Sequence, residues 1–147
     1  MLLNITLASL MMMATTAVHA GGISLIIFSI KSNEHHWASS NTLIWRSLIR
    51  MQHIGGIVLL MFFLSLIEMM AWALLYLFLG AVDNFEKALY FSTVTFTTLG
   101  YGDILLETNW RLLAAFEAAN GIIIFGLSTA VVVSAVQRIY FQDLKKK

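Results

Sequence analysis

Three long apolar runs divide the chain: Leu2 to Ile30, Ile54 to Gly80 and Trp110 to Tyr140. At ~1.5 Å per residue each is long enough to cross a ~30 Å hydrocarbon core. Few polar residues interrupt them: Asn4, some hydroxyls and His19 in the first run, Glu68 in the second, and Glu117 in the third. The pattern predicts an all-α integral membrane protein, with a first membrane helix over residues 1–30 and a mixed polar loop over 31–53. Ser39-Ser40-Asn41 is an N-cap cluster. After it, Leu43, Ile44, Arg46, Leu48 and Arg50 recur at helical spacing. This segment reads equally as a helix at the membrane interface or as an early start to the second span. The second and third runs are joined differently. Ala81-Val82-Asp83-Asn84 is a turn, and Asp83 or Asn84 can cap an amphipathic helix from Phe85 to Thr97. That helix is ~20 Å long at most, too short to span. It can only dip into the membrane and let the chain return.

Composition agrees with this plan and narrows the function. The chain is 59% hydrophobic and 12% charged, with no cysteine, no proline and a net charge of +1. That excludes a soluble domain of this size, gives no disulfide framework, and argues against nucleic acid as a partner. Val18-His19-Ala20 has the small flanking residues of a signal-peptidase site. No Lys or Arg precedes the run, however, and apolar residues continue to Ile30, so a retained helix is expected. Lys31, Arg46, Arg50, Arg138 and the terminal lysines Lys145, Lys146 and Lys147 fall on one side of the membrane, against Lys87 and Arg111 on the other. The positive-inside rule then puts the N-terminus outside and the C-terminus, with its basic tail over 142–147, in the cytoplasm.

The short helix leads into Thr97-Thr98-Leu99-Gly100-Tyr101-Gly102-Asp103. Gly100 and Gly102 permit φ > 0, and alternating such residues with ordinary ones can turn successive carbonyls to one side. A ring of those carbonyls with the Thr98 hydroxyl can replace the water shell of a monovalent cation. Thr98 to Gly102 reaches at most about 17 Å, roughly half the membrane core, so a wider cavity must complete any path.

This stretch resembles the selectivity filter of the bacterial potassium channel pore family, whose signature is Thr-x-Gly-Tyr-Gly-Asp. The resemblance extends over residues 54–141, a pore module of outer helix, pore helix, filter and inner helix. In overall plan the chain is similar to small channels of that family with an extra N-terminal span. It implies K+ held at Thr98, Leu99, Gly100 and Tyr101, with Gly102 completing the filter and Asp103, Thr97, Val94 and Tyr90 supporting it. Asn120-Gly121-Ile122 and Phe125 to Ala130 resemble the family's inner helix. By that likeness Gly121 is a hinge, Ile122 and Thr129 face the cavity, and Val133 to Gln137 form the constriction. Small-residue packing is the alternative for Gly121, and Gly126 is expected to serve only that. Two positions depart from the family: Leu99 replaces a valine or isoleucine, and Val94 stands where some relatives carry a glutamate. Asp103 then needs another partner, and Tyr90 is the candidate.

One pore loop supplies one wall, so a homotetramer in the cell (inner) membrane is expected, with potassium ions and lipid as partners and no cofactor. The function read from this is passive potassium conduction; the alternative is a weakly selective cation channel. No nucleophile–base or metal constellation suggests an enzyme. His35, His36 and His53 lack acidic or cysteine co-ligands at a recognisable spacing and are expected to be solvated loop residues. Asp83, Glu86, Asp103 and Glu107 gather at the filter end, where they would concentrate cations. Residue counting also puts His19, Glu68 and Glu117 in one layer of the membrane. Antiparallel packing of the first two spans favours Glu68 against His19. The alternative gives each its own bond to a pore-helix hydroxyl such as Thr93 or Thr95.

Overall fold

The computed structural model describes residues 1–32 and 43–141. They form four helices and, among the described residues, no strand: α1 (Leu2–Ser32), α2 (Leu43–Phe78), α3 (Phe85–Phe96) and α4 (Arg111–Phe141). Three are long and apolar enough to cross a membrane, over Leu2–Phe28, Ser47–Phe78 and Arg111–Ile139. His35, His36, the Ser39-Ser40-Asn41 cluster and the 142–147 tail lie outside the described residues.

α2 begins at Leu43, inside the 31–53 stretch read as a loop with either an interfacial helix or an early start to the span, and runs into the second span without a break. No proline lies in this stretch to interrupt it, and Gly55 and Gly56 do not, because backbone groups entering lipid find partners only within a helix. His53 therefore sits on a helix rather than a loop. Its Nδ1 lies 2.8 Å from the Ile49 carbonyl one turn back.

Side-chain pairings fix the directions of the helices. His19 meets Glu68, Gly22 abuts Leu64, and Ile26 clusters with Met61 and Ile57, so α1 and α2 are antiparallel. Asn4 reaches Asn109, Asn120 reaches Thr15 and Ser128 reaches His19, so α1 and α4 are parallel. The buried residues of α1 are Asn4, Ala8, Thr15, His19, Gly22 and Ile26, one stripe at helical spacing, whereas Leu10, Met13, Leu25 and Phe28 are exposed. A membrane helix inverts the soluble pattern: apolar faces meet lipid, and small or polar residues make the contacts between helices.

α2 stops because Gly80 takes φ +64. Its N–H bonds the Leu77 carbonyl at 3.0 Å and that of Ala81 bonds Tyr76 at 2.9 Å, satisfying carbonyls left over at the helix end. After the turn, Asn84 caps α3 by accepting from the Glu86 N–H at 2.7 Å. α3 then descends between α2 and α4, burying Ala88, Phe91, Ser92, Val94 and Phe96. Phe91 packs edge-on against Tyr76 at 5.2 Å, and Phe96 against Phe125 at 5.7 Å.

The depth of the dip follows from a single contact. A Cβ on Gly121 would lie 1.9 Å from the Phe96 carbonyl oxygen, so the C-terminus of α3 presses on the backbone of α4 there. Gly121 is ten residues into α4, about 15 Å from its start and half a membrane core. α3 is re-entrant, and only glycine permits the approach. Gly126, expected to pack closely, has nothing within 4 Å of an added Cβ in this chain.

Candidate functional site

The chain leaves α3 at Thr97, a cap in αR conformation whose N–H bonds Thr93. Thr98 then turns to φ +62, Gly100 to +55 and Gly102 to +78. Left-handed residues therefore stand at every second position, the alternation that can turn successive carbonyls to one side. The two glycines were readable as such; Thr98 was not, since a β-branched residue rarely takes positive φ. It is held there by its N–H to the Thr95 carbonyl at 2.9 Å and by the Gly100 N–H to Val94 at 3.2 Å.

Behind residues 98–102 sits the buried Val94, beside a cavity of about 160 Å³ bordered by Tyr90, Phe91, Gly100 and Asp103. Tyr90 closes the far edge by donating its hydroxyl to Asp103 Oδ2 at 2.7 Å. This bond holds the Asp103 carboxyl below its ordinary value and raises the Tyr90 phenol above its own. It is the partner that the apolar Val94 cannot offer. Thr97 turns its hydroxyl away, onto the Thr93 carbonyl at 2.6 Å.

Residues 98–102 are all exposed in the single chain, Leu99 at 59% and Tyr101 at 68%. So are Ile122, Thr129, Val133 and Gln137 on α4. Asp83, Glu86, Asp103 and Glu107 are exposed at the end of the bundle where the loop emerges. Lys87 and Arg111 share that end; Arg50 and Arg138 lie at the opposite one.

The ionisable residues within the membrane-spanning helices have their own arrangement. His19 Nδ1 lies 2.9 Å from Glu68 Oε1, with both side chains buried. One proton sits between the two atoms, donated either by His19 to a carboxylate or by a Glu68 acid to the ring. The other ring nitrogen, Nε2, is 3.0 Å from Ser128 Oγ. Glu117 stands apart from this pair. It accepts from Tyr76 at 2.6 Å and from Ser92 at 2.5 Å. Its partner on α3 is Ser92, whereas Thr93 bonds its own helix at Leu89. Asn120 donates to Thr15 at 2.8 Å. Glu68 Oε2, Trp72 Nε1 and Asn120 Oδ1 are buried with no hydrogen-bond partner among the described residues.

Sequence reasoning foresaw no polar contact for Thr15, Tyr76, Ser92, Asn120 or Ser128, the last two being quoted only for the inner-helix likeness. The available signal was spacing: Asn4, Thr15 and His19 fall on one helical face, as do Glu117, Asn120 and Ser128. No group of three or more potential metal-ligating side chains occurs among the described residues.

A family model described as an ion channel matches residues 62–138, more than half of the 147-residue chain. The match covers the second half of α2, all of α3, the glycine stretch and nearly all of α4, and leaves α1 outside. No curated protein and no solved structure matches the chain.

Proposed function

This chain belongs to the ion channel family, and we propose that it is one of four identical subunits around a potassium-selective pore. The observation that carries the proposal is the alternation of left-handed backbone at Thr98, Gly100 and Gly102. Carbonyls aimed to one side of an extended stretch supply oxygen ligands to a dehydrated cation, and one stretch supplies only one wall. Fourfold repetition is further supported by exposure. The 98–102 stretch and the stripe Ile122, Thr129, Val133 and Gln137 are uncovered within one chain. Around a fourfold axis the stretch is the filter, with K+ at Thr98, Leu99, Gly100 and Tyr101, and the stripe lines the water-filled remainder. Asp83, Glu86, Asp103 and Glu107 in four copies draw cations to the mouth. The basic residues at the opposite end orient that end to the cytoplasm of a cell membrane, with the N-terminus outside.

The test is ion flux through purified protein in liposomes, followed by the reversal potential with potassium on one side and sodium on the other. A barium-sensitive potassium flux and a reversal potential near that of a potassium-selective membrane are expected. A reversal potential near zero would support the second reading, a weakly selective cation channel.

A further inference from the structure

The seam between α1, α2 and α4 holds polar groups whose hydrogen bonds do not close among themselves. Glu68 Oε2, Trp72 Nε1 and Asn120 Oδ1 are buried there without a partner among the described residues. A polar atom kept from water in this way is costly until something bonds it.

The connections bring these atoms into one neighbourhood. Glu68 and Trp72 stand one turn apart on the same face of α2. Glu68 is bonded to His19, and Thr15 lies one turn from His19 on the same face of α1. Thr15 in turn holds the Asn120 amide at 2.8 Å. Trp72, Glu68, His19, Thr15 and Asn120 therefore run round the seam, linked alternately by a helix turn and a hydrogen bond.

The role of each remaining atom is fixed. Thr15 gives its own hydrogen to the Met11 carbonyl at 2.9 Å, so it accepts from Asn120 Nδ2 and leaves the amide oxygen over as an acceptor. Glu68 Oε2 accepts whichever atom holds the proton shared with His19, because that proton lies on the Oε1 side. Trp72 Nε1 can only donate. Two acceptors and one hydrogen cannot satisfy one another: a bond from Trp72 to either oxygen strands the other. Ser128 does not help, since its single hydrogen goes to the Ile124 carbonyl or to His19. Lipid tails have none to give.

What completes the set is a molecule that accepts once and donates twice. We infer that the seam binds one internal water, which accepts from the Trp72 N–H and donates to Glu68 Oε2 and Asn120 Oδ1. Three bonds are the usual complement of a buried water. The three groups that hold it belong to the stretch matched by the family model, and α1 lies outside that stretch. The added helix thereby gains a role as the lid of a hydrated site. Its His19 and Thr15 fix the carboxyl and the amide from one side, leaving their free oxygens to the water.

The test is solid-state NMR of the full chain in liposomes, with an isotopic label on the tryptophan indole nitrogens and magnetisation transferred from water protons. Trp72→Phe identifies the Trp72 signal. A hydrogen-bonded Trp72 indole proton that takes up magnetisation from water is expected. A bonded proton that takes up none would reveal a direct bond to Glu68 or Asn120 and overturn the inference. So would an indole proton at its free position. Asn120→Leu removes one of the two acceptors, and transfer to Trp72 should then be lost. Transfer persisting at the parental strength would put the water elsewhere and overturn the three-way site. Should that variant not assemble, the parental spectrum still decides. None of these readings requires the chain to conduct ions, so this inference and the conduction reading fail separately.

Discussion

The glycine stretch and the seam around His19 both bring polar groups between membrane spans, the first with backbone carbonyls and the second with side chains. In the stretch, the distinctive feature is in the torsion angles: Thr98, Gly100 and Gly102 have positive φ. Around His19 the backbone is ordinary helix, and the chemistry belongs to imidazole, carboxyl, hydroxyl and amide groups brought together from α1, α2 and α4. The stretch is exposed within the chain, whereas His19 and Glu68 are buried. The first arrangement is uncovered within the chain; the second holds the chain to itself. Substitutions should therefore separate selectivity from assembly.

The largest effect is expected at Gly100. Alanine there puts a Cβ on a residue with φ +55 and misdirects the neighbouring carbonyls. Preference for potassium over sodium should fall at least tenfold, about 1.4 kcal/mol, or conduction should cease. The measurement is the reversal potential under bi-ionic conditions. An unchanged value would remove the filter assignment. His19→Leu, measured alongside, should leave the reversal potential where it was.

Next in size is Gly121→Ala. Its Cβ meets a main-chain carbonyl, which cannot rotate away as a side chain would. Overpacking of this kind costs about 1–3 kcal/mol, so thermal unfolding in detergent should move down by several degrees. If the variant is as stable as the parent, α3 and α4 are not in the contact described. Smaller again is the His19–Glu68 coupling. Polar contacts between membrane helices average about 0.6 kcal/mol and reach about 1.7. A double-mutant cycle with His19→Leu and Glu68→Gln, read on stability, should return a coupling in that range. Additive effects would mean that proximity carries no energy here.

The smallest effect is at Tyr90 and depends on pH. The Asp103 carboxyl is held below its ordinary value, so the bond from Tyr90 contributes fully above about pH 4. It is lost as pH falls through the lowered folded value. On the alkaline side the raised Tyr90 phenol keeps its proton, and the bond, beyond about pH 10. The difference in stability between the parent and Tyr90→Phe should be flat from about pH 5 to 9 and vanish in strong acid. A difference that grows in acid would reverse the assignment of the donor.

The same contrast explains what could be read in advance. The three spans, the short helix and the glycine stretch were legible because each is a local pattern, an apolar run or a spacing of residue types. The N-cap at Asn84 belongs to the same class. Tyr90 against Asp103 came from the family likeness, in which some relatives carry a glutamate where this chain has Val94. The left-handed Thr98 was hidden, since its φ is imposed by bonds from Thr98 and Gly100 back to α3. Glu117 was placed at a useful depth, but depth is one coordinate; Ser92 and Tyr76 became its partners through lateral packing that residue counting does not reach. Gly121 shows the limit most clearly. A glycine inside a helix reads as a bend or as a close approach, and only the Phe96 backbone beside it supplies the second reason.

The order of synthesis gives the parallel pairing of α1 with α4 a further consequence. Thr15 and Asn120 are 105 residues apart, and His19 and Ser128 are 109 apart. At ~5–20 residues per second, α1 waits roughly 5 to 20 s in the membrane before its partners on α4 have been made. Glu68 emerges earlier, 49 residues after His19, so α1 and α2 can form a hairpin first, with the imidazole already engaged. Thr15 makes do with its own helix, bonding the carbonyl of Met11 at 2.9 Å. The nascent protein thus passes through a two-helix stage whose open polar face is a template for the last helix to arrive.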